Sequence, residues 1–356
     1  MAKHQPEPIR KALIAEVFWR SRSPVAAVAR QFGVTKQAVH LHLRWLLQKE
    51  LIVATGTGRA RRYHLRPLKS LHKTYSPGDN FTEDVPWNEL ARDPLRDYPQ
   101  EVVDVCSYGL TEMVNNAIDH SGSKQIKVSA RFTANSVELQ VTDYGVGIFQ
   151  KIAAALNLSD PRQSLLELSK GKFTTDPARH TGEGIFFTSR AFDKFSIRSS
   201  ELLFHHSTRV GDWLVEVRDR SFTGTRISMG VLVPPSRTLG AVFAEYSSGP
   251  DDHRFAKTHV PLELATFGDE TLISRSSARR VLSRVDRFDE VLLDFAGIRM
   301  VGQAFADEIF RVFAREHPRV RLIAINANAQ VTAMIRRAQQ PPHEPDLFDP
   351  VKPTEE

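Results

Sequence analysis

The chain has 356 residues, of which 41% are hydrophobic and 25% are charged, so it is long enough for two or three globular domains with cores of their own. A formal net charge of +6 favours a polyanionic partner, and the single cysteine, Cys106, excludes a disulfide framework or a cysteine-rich zinc site within one chain. The first residues lack an apolar signal core and no uncharged run approaches the length of a membrane span, so we expect a cytoplasmic protein without a membrane partner.

Residues 8–66 predict three helices followed by a hairpin. The second and third helical patterns turn at Gly33, which is helix-turn-helix spacing, and a hairpin with two glycines at its turn follows. In the last helix Val39, Leu43 and Leu46 fall on one face. The opposite face of that helix and the hairpin carry the side chains that we expect to contact DNA, which are Thr35, Lys36, Gln37, His40, Arg44, Arg59, Arg61 and Arg62.

This stretch, residues 1–66, resembles a bacterial winged helix domain. The resemblance implies that one helix reads the major groove of double-stranded DNA while the wing holds the phosphate backbone. The same fold also serves as a protein-docking module, and the cations gathered on one side favour DNA. Paired winged helices read two half-sites, so the resemblance also implies a homodimer.

The next segment, residues 67–98, loses the helical periodicity and gains proline, glycine and aspartate. Such composition predicts a linker. An aromatic residue and leucines near its end predict that this end packs on the domain that follows.

Polar side chains recur in the helix predicted after residue 109. Glu112, Asn116 and Asp119 are spaced by four and three residues, which places them on one helical face. A later alternating strand ends in Asp143, followed by glycines at which the backbone can turn tightly. A triphosphate pocket needs an oxygen ligand for magnesium, a base or orienter, and a fixed acceptor for adenine. Asn116, Glu112 and Asp143 suit these tasks in turn.

Residues 159–184 carry charge, glycine and threonine in the manner of a mobile lid. Three cations in it, Lys170, Lys172 and Arg179, are candidates for contacting phosphates. Gly182 and Gly184 precede a helical run whose N-terminus can face an anion. The final strand of this region begins after the pair Gly224 and Thr225.

In this order, the motifs resemble those of the GHKL family, which includes gyrase-type topoisomerases, histidine kinases and anti-sigma-factor serine kinases. The resemblance covers residues 99–235 and implies an α/β sandwich that binds ATP with Mg²⁺. Glu112 would then be catalytic, activating water as in the gyrase-like branch or an acceptor hydroxyl as in the serine-kinase branch, while Asn116 would ligate the metal. His120 makes the helix more similar to the serine kinases. The remaining implied cofactor-binding residues are Asp119, Asp143, Gly145, Gly147, Lys172, Gly182, Gly184 and Thr225.

Residues 250–340 alternate between strand and helix patterns, which predicts a small α/β domain. This order resembles the STAS-like domains, among which are antagonists phosphorylated by GHKL kinases on a serine that opens a helix. Here Gly302, Gln303 and Ala304 occupy that place and none carries a hydroxyl, so we interpret the domain as a docking or dimerising module. The proline-rich, acidic segment 341–356 predicts a disordered tail.

The resulting fold class is multidomain α+β, with a winged helix-turn-helix, then a GHKL α/β sandwich, then a small STAS-like α/β domain. The function that we expect is ATP-dependent control of DNA occupancy or of a regulatory protein partner. Two alternatives remain open, namely a serine/threonine protein kinase acting on a separate protein and a DNA-sensing ATPase of a defence system. The kinase would transfer the γ-phosphate to a protein hydroxyl, whereas the expected regulator would transfer it to water. In the DNA-sensing ATPase, DNA of any sequence would stimulate turnover.

Overall fold

The computed structural model describes residues 6–78, 81–174, 181–209, 211–218, 221–249, 252–266 and 272–340, apart from the side chains of Arg59 and His253. The chain divides into two compact units, Met1–Phe255 and Ala256–Glu356. Within the described ranges, every helix is too short or too polar to cross a membrane.

The first unit begins with three helices and a two-stranded antiparallel hairpin, in the predicted order. The second helix ends at Gly33, whose φ of +64° suits glycine, and Thr35 caps the third by accepting a hydrogen bond from the Ala38 amide. Leu13, Val28 and Leu46 are among the side chains of their shared core. The elements are α1 (Pro6–Phe18), α2 (Pro24–Phe32), α3 (Lys36–Gln48), β1 (Ile52–Thr55) and β2 (Arg62–Leu65).

A seven-stranded antiparallel sheet forms the centre of the first unit. Its strands stand in the order β3-β4-β5-β9-β6-β7-β8. Alternate residues of β4 are buried, which gives the sheet one apolar face and one polar face. The strands are β3 (Pro67–Tyr75), β4 (Ile126–Thr133), β5 (Ser136–Asp143), β6 (Lys194–Ser199), β7 (Leu202–Ser207), β8 (Gly211–Glu216) and β9 (Thr225–Leu232).

The predicted linker at 67–98 is wrong over its first nine residues, because Pro67–Tyr75 is the edge strand β3 and pairs with β4 along its length. Nearly every β3 side chain is exposed and only Tyr75 is buried, so the segment has no hydrophobic alternation to reveal it. Polar, charged edge strands are a usual protection against aggregation. Further on, a short helix α4 (Asp84–Pro86) continues into a π-helical turn at Trp87–Ala91.

Helices cover the apolar face of the sheet. The longest, α5, packs on β5 and β9 and against α8. Gly109 lets it approach closely, since a Cβ there would lie 2.3 Å from the Phe192 ring. The helices are α5 (Gln100–His120), α6 (Ile148–Ala155), α7 (Gln163–Lys170), α8 (Gly184–Ala191) and α9 (Leu239–Tyr246), and a small hairpin of β10 (Ser247–Gly249) and β11 (Asp252–Phe255) closes the unit.

The N-terminal helices pack directly against the sheet. The Lys194 ammonium lies 3.6 Å from the centroid of the Phe18 ring and donates to the Phe18 carbonyl. Glu16 is buried and forms an ion pair of 2.6 Å with Arg209. Gly230, the register partner of Lys194, leaves room for the Phe18 ring. No long flexible connection therefore separates the helices from the sheet.

The second unit has a parallel three-stranded sheet in the order β12-β13-β14, with helices between the strands. This alternation agrees with the predicted α/β pattern, although the first strand was not predicted and the unit begins at residue 256 instead of 250. The predicted tail 341–356 lies outside the described residues. The elements are β12 (Lys257–Pro261), α10 (Arg275–Leu282), β13 (Glu290–Asp294), α11 (Gln303–Asp307), a π-helical segment (Glu308–Phe313), α12 (Ala314–Glu316), β14 (Arg321–Ile325) and α13 (Ala329–Gln339).

Candidate functional site

A cavity of about 310 Å³ lies between the sheet and the helices of the first unit. Apolar side chains such as Met113 and Ile152 line part of it, and polar groups from five separate segments converge on the rest. Such a mixture is typical of small-molecule sites. The sequence-predicted residues that line it are Glu112, Asn116, Asp143, Gly147, Gly182, Gly184 and Thr225.

Asp143 stands at the end of β5, where it is 5% exposed. Its Oδ1 accepts hydrogen bonds from the amides of Gly145 at 2.9 Å and Thr225 at 3.2 Å. Burial raises the pKa of this carboxyl, and these hydrogen bonds partly offset the rise. The Thr225 hydroxyl in turn accepts from the Ile148 amide at 3.1 Å. Together they make a rigid, buried acceptor at the cavity wall.

Glu112 faces the start of α8. A Cβ placed on Gly184 would lie 2.0 Å from the Glu112 Oε2 atom, so any larger residue there would force the carboxylate to move. Burial raises the pKa of the Tyr108 hydroxyl, and the negative charges of Glu112 and Glu183 raise it further. The two carboxylates therefore make this end of the cavity acidic.

Glycines shape the rest of the cavity. Gly147 has a φ of +95°, and a Cβ there would lie 2.5 Å from the Ser199 hydroxyl oxygen. Gly182 has a φ of +73°, with the Phe173 backbone 2.4 Å from the position of a Cβ. These are left-handed conformations in close contact with neighbouring atoms, which side chains other than glycine seldom adopt.

Three predicted cofactor residues do not line the cavity. Asp119 is exposed. Burial lowers the pKa of nearby Lys151, and the charge of Asp119 partly offsets this fall. Gly145 supports the site from outside, since its backbone approaches Ser121 so closely that a Cβ would lie 1.9 Å from the Ser121 oxygen. Lys172 holds its ammonium 5.3 Å from the Phe255 ring centroid.

The other two predicted lid cations are Lys170 and Arg179. Lys170 is buried and forms an ion pair of 2.7 Å with Glu167, so the prediction that it contacts phosphates is wrong. Every residue of α7 from Ser164 to Lys170 is buried, so the Lys170 ammonium lies in the interior and is paired there with Glu167. Arg179 lies outside the described residues.

Sequence reasoning missed several polar residues of the cavity, notably Lys151, Glu183 and Asn115. The Lys151 ammonium donates to the His120 carbonyl at 2.6 Å. A lone lysine in the apolar stretch after the glycines was the available signal. Burial raises the pKa of the half-buried Glu183, and the charge of Lys172 partly offsets this. Its position between two glycines could have indicated it.

The predicted DNA-contacting residues whose side chains are described lie exposed on α3 and the hairpin. Lys36, Gln37, His40 and Arg44 are exposed. The Thr35 hydroxyl is occupied with capping α3. Arg61 and Arg62 are exposed on the hairpin, with Arg62 donating to the Arg61 carbonyl at 3.1 Å, and the Arg59 side chain lies outside the described part.

Comparison with known families identifies two domains. Residues 88–203 match the histidine kinase-like ATPase domain, and residues 277–332 match a STAS-like domain of unknown function (DUF4325). The chain thus contains a GHKL-type ATPase domain, which starts within the predicted linker, and a STAS-like domain. The first match supports ATP binding and regulation of the kinase or ATPase type, and such domains in general use ATP with Mg²⁺. No curated protein matches the chain.

Proposed function

We propose that this protein is a DNA-binding regulator in which Mg-ATP binding and hydrolysis in the GHKL domain control DNA occupancy or the binding of a regulatory protein. The observation that carries the proposal is the cavity that unites Glu112, Asn116 and Asp143, residues brought together from one helix and one strand of the matched ATPase domain.

The residues present suit ATP. Asp143 offers a buried, fixed acceptor, which is the group required by an adenine amine. At the other end, Asn116 lies near an acidic region formed by Glu112 and Glu183. The amide oxygen of Asn116 would bind Mg²⁺ beside the phosphate oxygens of ATP.

The chemical step that we assign to the protein itself is the removal of one proton from the attacking group. When bound, Mg²⁺ would neutralise phosphate charge. Glu112 would accept the proton of the attacking group through its carboxylate, which occupies the space that Gly184 leaves open. The glycines at 182 and 184 would let backbone amides at the start of α8 approach the anion.

A physical link between the cavity and the N-terminal helices supports control. Strand β5 carries Asp143 into the cavity and Glu138 onto the polar face, and its neighbour β9 carries Thr225 into the cavity and Gly230 against Phe18. A shift of these two strands on nucleotide binding would therefore be felt at α1. Bound DNA would lie on α3 and the hairpin of a winged helix, and a homodimer in the cytoplasm would place two copies on paired half-sites.

A second candidate function is a serine/threonine protein kinase. The observation in its favour is the family match itself, because a Glu112 carboxylate that orients water can equally orient a protein hydroxyl. The acceptor would be a separate protein.

One experiment tests the proposal and separates the two candidates. The purified protein is incubated with Mg²⁺ and γ-labelled ATP, and free phosphate and labelled protein are followed together. We expect Glu112→Ala to lower phosphate release by about 100-fold or more while ATP still binds, since a general base contributes this much. The conservative Glu112→Gln variant should lose activity equally, because it keeps the shape but cannot take a proton.

The contrary outcomes are distinct. Label on an added protein instead of free phosphate would favour the kinase. Absence of ATP binding in calorimetry would exclude both candidates. Unchanged phosphate release in Glu112→Ala would remove the carboxylate from the mechanism.

A further inference from the structure

The polar face of the seven-stranded sheet carries a continuous row of hydrogen-bonding side chains. The row runs from His72 on β3 to Trp213 on β8 and contains one residue from each strand, each paired in register with the next. Between them stand three serines, a glutamine and a histidine, namely Ser129, Gln140, Ser228, Ser196 and His205. All of them line a shallow groove of about 740 Å³.

Cations outnumber carboxylates in this groove. Among the described lining residues there are five, Arg20, Arg131, Lys194, Arg198 and Arg226, against a single carboxylate, Glu138. Glu138 already faces Arg131 at 3.6 Å and Lys194 at 3.9 Å. Among the described lining residues, the groove therefore carries an excess of positive charge.

Two of these arginines are direct cross-strand partners. Arg198 on β6 is opposite Arg226 on β9, and the repulsion between their like charges makes this pairing unfavourable. Both guanidinium groups lie over the Phe222 ring, at 5.3 Å and 4.8 Å from its centroid. The Nε atom of Arg226 is buried and has no hydrogen-bond partner among the described residues. An anion placed beside this pair would reduce the repulsion between the two like charges.

Aromatic rings complete the surface. Trp213 is 38% exposed and leans on His205, with ring centroids 4.9 Å apart. Burial, and then the charge of Lys194, lower the pKa of His205, so its ring is neutral near pH 7 and stacks without adding charge. Trp19 lines the other side of the groove. Aromatic rings beside arginines on an open sheet are suited to unstacked bases.

We propose that this outer sheet face binds single-stranded nucleic acid, with phosphates on the Arg198 and Arg226 pair and bases on Trp213 and the polar row. Seven strands span about 29 Å, room for the roughly four or more nucleotides that comparable stacking sites hold. A duplex keeps its bases stacked on one another and could not use the exposed indole. The site is separate from α3 and the hairpin, and it does not depend on the proposed duplex binding.

The test uses fluorescence anisotropy on the full chain. The probes are a labelled single strand of about 20 nucleotides, as DNA and as RNA, and the duplex of the same sequence. We expect Trp213→Ala to weaken single-strand binding about tenfold, and the double change Arg198→Ala with Arg226→Ala to weaken it more and to reduce its salt dependence. Arg96→Ala, another exposed arginine outside the groove, should leave binding unchanged.

A further variant separates the two surfaces. Lys36→Ala with Arg44→Ala should weaken duplex binding and leave single-strand binding intact. Circular dichroism checks that each variant is folded. Because Trp213 is exposed, we expect Trp213→Ala to keep the fold, so this variant still tests the proposal if the arginine double variant does not fold. Absence of single-strand binding by the unaltered protein would overturn the proposal. So would single-strand binding that the α3 variant abolishes and the Trp213 variant leaves unchanged.

Discussion

At the residue scale, the cavity depends on Gly184, which has no side chain. Gly184 does not need a left-handed backbone, yet a methyl group on it would overlap the Glu112 carboxylate. The same residue begins α8, where backbone amides are available to an anion. The absence of a side chain at this position therefore leaves space for the carboxylate and also leaves the N-terminus of α8 accessible.

This contact predicts the effect of the smallest possible substitution. We expect Gly184→Ala to displace the Glu112 carboxylate and lower the rate of phosphate release on the order of 100-fold, because such misplacement of a reacting group is this costly. Gly240→Ala is the matched control, since a Cβ there meets nothing within 4 Å and the residue is also helical. Phosphate release is measured for both. Equal rates in the two variants would contradict the role given to the Glu112 position.

Individual residues also show how far sequence reasoning reaches. Glu112, Asn116 and Asp143 could be predicted because their chemistry and spacing are visible in the chain. Lys172 and Lys151 could not be told apart, since both are lysines near glycines. Lys151 lines the cavity because α6 packs there, whereas Lys172 lies over the Phe255 ring. A lysine is long and flexible, so tertiary packing decides where its ammonium goes.

At the scale of elements, α1 and the sheet behave as one packed body. Phe18 is 3% exposed, has the Lys194 ammonium over its ring, and fills the space left by Gly230. One residue, Arg66, separates the end of the hairpin from strand β3 of the sheet. Packed side chains, instead of a flexible tether, therefore connect the N-terminal helices to the sheet.

We expect Phe18→Ala to lower the free energy of unfolding by about 3–5 kcal/mol, the usual effect of removing a buried phenylalanine. Urea denaturation followed by circular dichroism measures it. Leu68→Ala on β3 is the control, because Leu68 is 68% exposed and its loss should change the free energy by less than about 0.5 kcal/mol. A Phe18 effect as small as that of the control would show that the interface is not a packed core.

At the scale of the whole molecule, the net charge of +6 has two concentrations in the first unit. One comprises the exposed cations of α3 and the hairpin, and the other is the groove on the outer sheet face. The proposed duplex and single-strand sites would thus share one protein, and the cavity that we propose for ATP lies behind the second of them on the same strands. This arrangement favours a protein that responds to nucleotide and nucleic acid together.

Duplex binding by the hairpin has a measurable signature. We expect Arg61→Ala with Arg62→Ala to weaken duplex binding uniformly across sequences and to make the logarithmic salt slope less steep by roughly 2, one for each phosphate that the hairpin no longer neutralises. Titrations at several salt concentrations measure the slope, with Arg96→Ala as the control. An unchanged slope would remove the hairpin from the proposed duplex site.

The sequence by itself determined the local features of this protein. Helical spacing, a strand ending before glycines, and the alternation of residues 290–339 each depend on neighbours a few positions apart, and the corresponding elements are observed. The residue types that can bind a metal, a proton or an amine are likewise legible without a structure. This is why the ATPase and STAS-like domains could both be expected from the chain.

Only the tertiary structure decided what depends on distant pairing. Strand β3 exists because β4, more than fifty residues later, supplies its hydrogen bonds, and its polar side chains conceal it. The row from His72 to Trp213 is assembled from seven strands whose order is not the chain order. Register and packing create such a surface, and no local pattern in the sequence contains them.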